Sequence, residues 1–471
     1  MADVADVKDA ADVKDVEDVN VQETTEKVQK GYMADLTTFL KFTWPLLLGN
    51  TLEWYEFGVY GYVEAEVAEN FFGGSAEGGW LGFAITFVAR PLGGFLLGWI
   101  ADNLGRKLSV NLSLAGMIIA TVGQGLLPGR YFGKGAEGLG LALLIFMRVL
   151  QGLSAGGEIG AVSSYLVEVS PTKTLGMAVC MISVGSQIAW AFASTLVALL
   201  QTFLTNEQML QWGWRVPFLL SAFPGALAMW GRNHITETET FLEFAAEDPG
   251  SKRPWGVVEL LKEHYFALLV GLGAVSATAT MWFAPPFWTV STVLNLGKAD
   301  NLWVGNCAQL VGLAVTPVAA LFTDRYGVGT CVLVGAAYCA VMAAPVYAWI
   351  ASNPTDRAVA YVGIGFFFGI AQGFCGATIY LFVAELFPAR VRCQGMALSY
   401  NICVSFIGGF AASIAQSLYD VSPDWAPGIY WALTGLISIV FVLLGMLLQR
   451  NGLLKIGHRR SQPFFLGVAD S

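Results

Sequence analysis

Glu168-Val-Ser-Pro171-Thr-Lys-Thr-Leu-Gly176-Met-Ala178 and Glu385-Leu-Phe-Pro388-Ala-Arg-Val-Arg-Cys-Gln-Gly395-Met-Ala397 carry one pattern twice. In each, an acid closes an apolar stretch, a proline stops the helix, and Gly-Met-Ala opens the next stretch. The Glu and Pro positions recur at an offset of 217 residues. Gln151-Gly152 returns as Gln372-Gly373 at an offset of 221, and Asp102 returns as Asp324 at 222. A near-constant offset across several landmarks means one unit used twice, a pattern common among transporters.

The material around these landmarks is apolar. The chain has 471 residues, 55% of them hydrophobic and only 13% charged, with a mean hydropathy of +0.58. A soluble domain carries roughly 25% charged residues, so this chain lacks the surface that water requires. Apolar stretches fall at about 42–66, 79–101, 108–127, 139–168, 175–203 and 213–231. After a polar interval, others fall at about 264–292, 301–323, 328–350, 358–384, 393–419 and 427–449. Each is long enough for the roughly 20 residues that cross a bilayer. The expected fold is an all-α membrane protein of twelve transmembrane helices in two pseudo-symmetric six-helix bundles.

The division that follows gives a disordered acidic tail (1–36), a first bundle (37–231), a cytoplasmic linker (232–263), a second bundle (264–450) and a cytoplasmic tail (451–471). Residues 1–30 hold nine acids and four lysines in a low-complexity Ala/Asp/Val/Lys run, which has no means of forming a core. That run has no apolar signal region, and its acidity argues against a transit peptide. The seven cysteines form no C-x-x-C pair, so neither a metal site nor a disulfide framework is expected. No nucleophile–base pair or phosphate loop appears either, and the chain reads as no enzyme and without a cofactor. With both termini cytoplasmic, fourteen Lys and Arg residues face the cytoplasm, Arg232 among them, and five face the other side. That bias orients the chain.

Gly98-Trp-Ile-Ala-Asp102-Asn-Leu-Gly105-Arg106-Lys107 matches the signature between spans two and three of the major facilitator superfamily. Glycine permits the tight turn, and the carboxylate and basic pair can latch neighbouring helices in one state and release them in another. The second copy, Asp324-Arg325-Tyr-Gly327, lacks the basic pair, so its latch is expected to be weaker. Glu168 and Glu385 complete the expected cytoplasmic gate.

The resemblance narrows at Leu52-Glu53-Trp54-Tyr55-Glu56-Phe57-Gly58-Val59-Tyr60-Gly61, Arg90-Pro91-Leu92-Gly93-Gly94, Gly156-Gly157-Glu158 and Trp212-Gly213-Trp214-Arg215-Val216-Pro217-Phe218. These runs resemble the metabolite:proton symporter family and are closest to its proline/betaine branch, except that Glu56 stands where that branch usually has Asp. The resemblance covers nearly all of 42–241 and is thinner in the second half. It implies proton-coupled transport of a small organic solute.

Depth along the helices sorts the charges. Arg90 precedes Asp102 by twelve residues, about 18 Å at 1.5 Å per residue, and Glu158 precedes Glu168 by ten, about 15 Å. Both fall near the midplane. Arg148 lies a further ten residues out, in the outer half, and Glu53 and Glu56 share one face of the first span. Charges at such depth are expensive and default to function. All three histidines fall in loops or at span ends, so Glu53, Glu56 and Glu158 are the candidate proton carriers. A structural ion pair of Arg90 with one glutamate is the competing reading.

Arg90, Tyr60, Arg148, Gln151, Gln187, Trp190, Trp282, Trp288 and Gln372 are the candidate solute contacts. In the run Met281-Trp282-Phe283-Ala284-Pro285-Pro286-Phe287-Trp288 two prolines are expected to break the helix, and the aromatics around the break can hold a quaternary ammonium by cation–π contact. A kinked helix with interfacial aromatics explains the run equally well. Gln309, Tyr380 and Asn401 are further polar residues within spans. The expected function is proton-driven symport of a zwitterion such as proline or betaine, or of a carboxylate such as 2-oxoglutarate. The alternatives are a facilitative sugar-type uniporter and a solute sensor that moves nothing. The expected partners are the solute, a proton and the bilayer, with no nucleic acid. The protein is expected to act as a monomer, in the plasma membrane.

Overall fold

A bilayer offers the peptide backbone no hydrogen bonds, so a spanning segment has to satisfy its own, and an apolar chain of this length does so as helices. The computed structural model describes residues 32–132, 136–247 and 256–454, and these contain no strand. The twelve spanning helices are numbered α1–α12. In the first half they are Tyr32–Tyr62 (α1), Ala76–Leu104 (α2), Arg106–Gly125 (α3), Ala136–Val169 (α4), Leu175–Phe203 (α5) and the pair Arg215–Leu220 and Ala222–Asn233 (α6). In the second half they are Tyr265–Thr292 (α7), Lys298–Tyr326 (α8), Val328–Ala351 (α9), Arg357–Glu385 (α10), Ala389–Val421 (α11) and Ala426–Arg450 (α12).

Ten of these are long and apolar enough to be recognised by length and composition among the described residues. The other two are α1, which carries Asn50, Glu53 and Glu56, and α6, which is interrupted at Ser221. Most of the expected acidic tail, residues 1–31, lies outside the described residues, as do 248–255 of the linker and 455–471 of the C-terminal tail. Residues 32–36, assigned to the tail on composition, belong to α1, whose Leu36 and Phe39 are buried. The linker contains two short helices, Glu239–Glu247 and Gly256–Glu263.

The repeat is visible in the backbone. Gly105 and Gly327 both adopt positive φ, +118° and +91°, at the α2–α3 and α8–α9 turns. A β-carbon would strain either turn, which is why the motif needs glycine there. Elsewhere glycine serves close approach. A β-carbon on Gly152 would meet the Thr86 carbonyl, and one on Gly156 would meet the Arg90 carbonyl. One on Gly160 would stand 2.6 Å from the Cys393 carbonyl. This stripe of α4 therefore packs first on α2 and then on α11.

Two expectations need correcting. Pro285 and Pro286 do not break α7, because the chain carries on through them as a π-helical turn over Ala284–Thr289. Proline offers no amide donor and its ring crowds the preceding turn, and a wider turn accommodates both effects. Arg232, read as the first linker residue and counted with the cytoplasmic charges, lies inside α6 and is fully buried. Its guanidinium donates to the carbonyls of Pro45 (3.3 Å) and Leu46 (3.3 Å) on α1 and to that of Val110 on α3. It also forms a two-pronged ion pair with Glu158 on α4, whose carboxylate accepts from Ser113 as well. One side chain thus joins α6 to three neighbours.

Removing one partner from such a pair leaves the other charge buried and unpaired. Arg232→Met is expected to destabilise the protein by about 3–5 kcal/mol, with most of that recovered in Arg232→Met/Glu158→Leu. Thermal unfolding in detergent measures both. Equal loss in the single and double variants would mean that Arg232 acts through packing and not through charge.

Candidate functional site at the seam between the halves

Where α2 ends, Asp102 reaches across to the other half. Its carboxylate accepts from the amides of Cys393 (3.2 Å) and Gln394 (2.9 Å), which are otherwise unsatisfied N–H groups in the first turn of α11's main helix. A negative charge is stabilised there by the helix dipole. Arg106 binds Asp102 (3.0 Å) and Glu168 (3.3 Å), and it also donates to the Ala389 carbonyl of the second half (2.6 Å). Arg392 joins Glu168 from the opposite side (3.2 Å), and Thr238 caps the same carboxylate (2.7 Å). Gly98 lies against the Gln394 backbone, where a β-carbon would stand 2.9 Å from its Cα. The Lys107 amide donates to Glu237 (3.1 Å) and its ammonium to the Asn233 carbonyl (3.1 Å), so it braces α3 against the end of α6 and the linker and not against the other half.

The second half reciprocates. Asp324 accepts from the amides of Gly176 (2.6 Å) and Met177 (3.2 Å) at the start of α5. Arg325 is exposed and lies over the Tyr326 ring, and Val328 stands where the repeat puts Arg106 in the first half. Glu385 is buried at the end of α10.

Near mid-span, Arg90 of α2 is fully buried. Its Nη2 donates to Glu53 of α1 (2.7 Å) and its Nε to Asn401 of α11 (3.0 Å), while its Nη1 has no partner among the described residues. The guanidinium lies 5.2 Å from the Phe57 ring centre, 5.8 Å from Trp54 and 5.9 Å from Phe87. Those rings begin an aromatic layer shared by the halves. Trp54 meets Trp282 at 4.9 Å, Trp190 meets Phe287 at 4.6 Å, and Phe87 meets Phe283 at 5.2 Å. The indole N–H groups of Trp54 and Trp282 have no acceptor among the described residues. Tyr380 and Tyr400 add two buried hydroxyls 3.2 Å apart on the second half.

A second polar cluster lies within the first half. Glu56 accepts from Gln151 (2.6 Å), and Gln151 accepts from Arg148 (2.6 Å). Arg148 also donates to the Gly82 carbonyl (3.0 Å) and lies flat over Tyr60 at 3.9 Å. One Glu56 oxygen has no partner among the described residues. Glu158 is held by Arg232 as described above. Of the three acids expected to carry a proton, Glu158 is thus met by a two-pronged cation, Glu53 by a single contact, and Glu56 only by an amide.

Gln187 donates to Thr316 (3.1 Å) across the α5–α8 seam, and Gln372 donates to the Met281 carbonyl (3.3 Å) inside the second half. Trp288 does not join Trp282. It bonds Gln416 (3.0 Å) and packs on Tyr419 and Trp431 in a separate cluster of the second half. Six residues apart across a π turn, the two indoles face different ways.

Residues 46–413 match the Major Facilitator Superfamily. The ectoine/proline transporter ProP of Corynebacterium glutamicum is 29% identical over 411 residues, with 82% of this chain and 79% of that one covered. The glycine betaine/proline/ectoine/pipecolic acid transporter OusA of Dickeya dadantii is 28% identical, with 86% and 82% covered. The proton:xylose symporter XylE, solved with 6-bromo-6-deoxy-D-glucose, superposes with a TM-score of 0.70 at 14% identity over 87% of this chain and 95% of that one. That last likeness is one of fold. Twelve helices in two related halves, a reciprocal acid-to-amide latch and a match over most of the length agree, and the chain belongs to the Major Facilitator Superfamily.

Proposed function

We propose that the protein is a proton-coupled symporter of a small zwitterionic solute of the glycine betaine and proline class, working by alternating access. The observation that carries this reading is Arg90, a fully buried cation with an unmet Nη1 donor, set among the aromatic faces and unmet indole N–H groups of the seam. One buried cation suits one carboxylate, and the ring faces suit an onium group. A dicarboxylate would need a second free cation. Arg148 is committed to Gln151, the Gly82 carbonyl and the Tyr60 ring. The named relatives that move proline, betaine and ectoine support the same class.

Exchange of the carboxylate that pairs with Arg90 supplies the coupling. Glu53 neutralises Arg90 across the α1–α2 contact. When a solute carboxylate takes the guanidinium, Glu53 loses its cation and, lying in a dry interior, takes up a proton. The site then holds Arg90 paired with the solute carboxylate and a neutral Glu53, and the net charge of +1 that the proton brings resides on the solute's onium group against the ring faces. Solute without a proton leaves the Glu53 carboxylate without its guanidinium, and a proton without solute leaves Arg90 without its carboxylate. That costs about 3–5 kcal/mol and holds the half-loaded carrier back. Glu56 acts beside it as a second acceptor in the same layer. The latch end is cytoplasmic on this reading, in keeping with Arg106, Lys107, Lys173, Arg390 and Arg392 gathering there. One chain supplies both faces of the site, so a monomer suffices, and the plasma membrane is the expected location.

In proteoliposomes, betaine uptake is expected to follow an imposed pH gradient. Glu53→Gln is expected to cut gradient-driven accumulation by about tenfold or more, the equivalent of 1.4 kcal/mol, while solute exchange persists. Uptake that ignores the gradient in the unaltered protein sinks proton coupling. Unlabelled betaine or proline is expected to compete for uptake, whereas 2-oxoglutarate and glucose are not. Competition by glucose alone would point to the sugar uniporter instead.

A further inference from the structure

One face of α11 runs against the first half from the latch to the aromatic layer. Gln394 donates to the Phe95 carbonyl (3.1 Å), and Ala397 faces Gly94, where a β-carbon would stand 3.1 Å from its own. Asn401 accepts from Arg90 Nε (3.0 Å) and donates to the Gly156 carbonyl (2.7 Å), and Ser405 donates to the Phe87 carbonyl (2.5 Å). Residues 394, 397, 401 and 405 share a helix face, while 95, 94, 90 and 87 descend α2 in the opposite sense. The contacts therefore form a ladder between two antiparallel helices of different halves. Glycine on α2 and α4 lets α11 come this close. Among these rungs, only Asn401 holds a charged side chain.

Asn401 and Glu53 occupy the Nε and Nη2 positions of Arg90. These two positions form one edge of the guanidinium plane, which leaves Nη1 directed away from that edge. We propose that Asn401 is the positioning residue that ties Arg90 to the second half and transmits its occupancy to α11. This proposal rests on the reading of Arg90 as the solute's carboxylate receptor. A carboxylate arriving at Nη1 finds its second donor at Nη2 and there competes with Glu53 for the guanidinium. The guanidinium then swings toward the solute and draws Nε from Asn401. The middle rung opens, and α11 is then held to the first half by the Gln394, Ala397 and Ser405 contacts and the latch.

Cys393 reports this motion. It is buried at the latch end of the same ladder, with its amide on Asp102, and it can be kept as the single cysteine while the other six are replaced by serine or alanine. Its alkylation by N-ethylmaleimide is then timed with and without millimolar glycine betaine. In the otherwise unaltered protein, alkylation is expected to be slow and to speed up with betaine. Asn401→Ala is expected to react about tenfold faster without solute and to gain nothing from betaine, the scale of one lost charge-assisted hydrogen bond. Asn401→Asp, which puts a carboxylate on Arg90, is expected to be slow in both conditions. Ser405→Ala removes a neighbouring rung and is expected to keep its betaine response.

A merely structural role would move the alanine and aspartate variants the same way, and would make Asn401→Ala and Ser405→Ala alike. Either result overturns the proposal, as does a wild-type rate with an intact betaine response in Asn401→Ala. Gel filtration of each variant checks that it folds, and the aspartate variant decides the matter if the alanine variant does not. If betaine has no effect even on the unaltered protein, the solute reading of Arg90 fails. The solute-free rates of the two Asn401 variants still decide whether the tie exists.

Discussion

A guanidinium taken out of water has five N–H groups to satisfy and a charge to balance, and a lipid-embedded bundle has only its own atoms to offer. Arg90, Arg106, Arg148 and Arg232 are all buried under this constraint. Each collects acceptors from more than one helix. Arg232 draws on α1, α3 and α4, while Arg148 draws on α2 and α4. Arg106 and Arg90 reach across to the second half. Helix positions are therefore set by where the arginines find oxygen, more than by apolar contact alone, since lipid is as apolar as the side chains it surrounds. Where a group is left unmet, as at Nη1 of Arg90, the interior has a reason to accept a ligand.

The two halves share a backbone plan but divide the chemistry. All four of these arginines and the acids Glu53, Glu56 and Glu158 belong to the first half. The second contributes indoles, two tyrosine hydroxyls and Asn401 to the seam. With the mid-span charge in one half, the proposed proton handling falls to a single bundle, and the other half offers apolar and aromatic surface. The latch also shows this asymmetry. Both acids find helix-start amides, and Asp102 also has Arg106 beside it, which continues into the opposite half.

Much of this was legible in the sequence, because repeats and apolar periodicity leave strong marks. The duplicated landmarks gave the two halves, and Asp102, Gly105 and Arg106 were recognisable as one device. Arg232 was not. It adjoins a polar interval, and a charge at a span end reads as loop unless one knows that the helix continues past it. Trp288 had the right chemistry and the wrong face, since a π turn shifts the helical phase by an amount that residue spacing does not reveal. Asn401 gave almost no signal. An uncharged amide in an apolar span matters only through what stands opposite it, and that is a property of the packing. The run around Trp54 was read as a motif, while the meeting of Trp54 with Trp282 depends on bringing the halves together.

The exchange of acids at the latch bears on origin. Asp102 serves a helix start in the second half, and Asp324 serves the corresponding helix start in the first. The two bonds are related by the pseudo-twofold axis. A lone six-helix chain with one such acid and one such helix start could make neither bond to itself in this geometry. Two copies of it side by side would make both. Such an interface is isologous, the same patch meeting itself. The seam of this single chain thus keeps the form of a subunit contact, and what opens and closes during a cycle is in geometrical terms a dimer whose protomers have been fused.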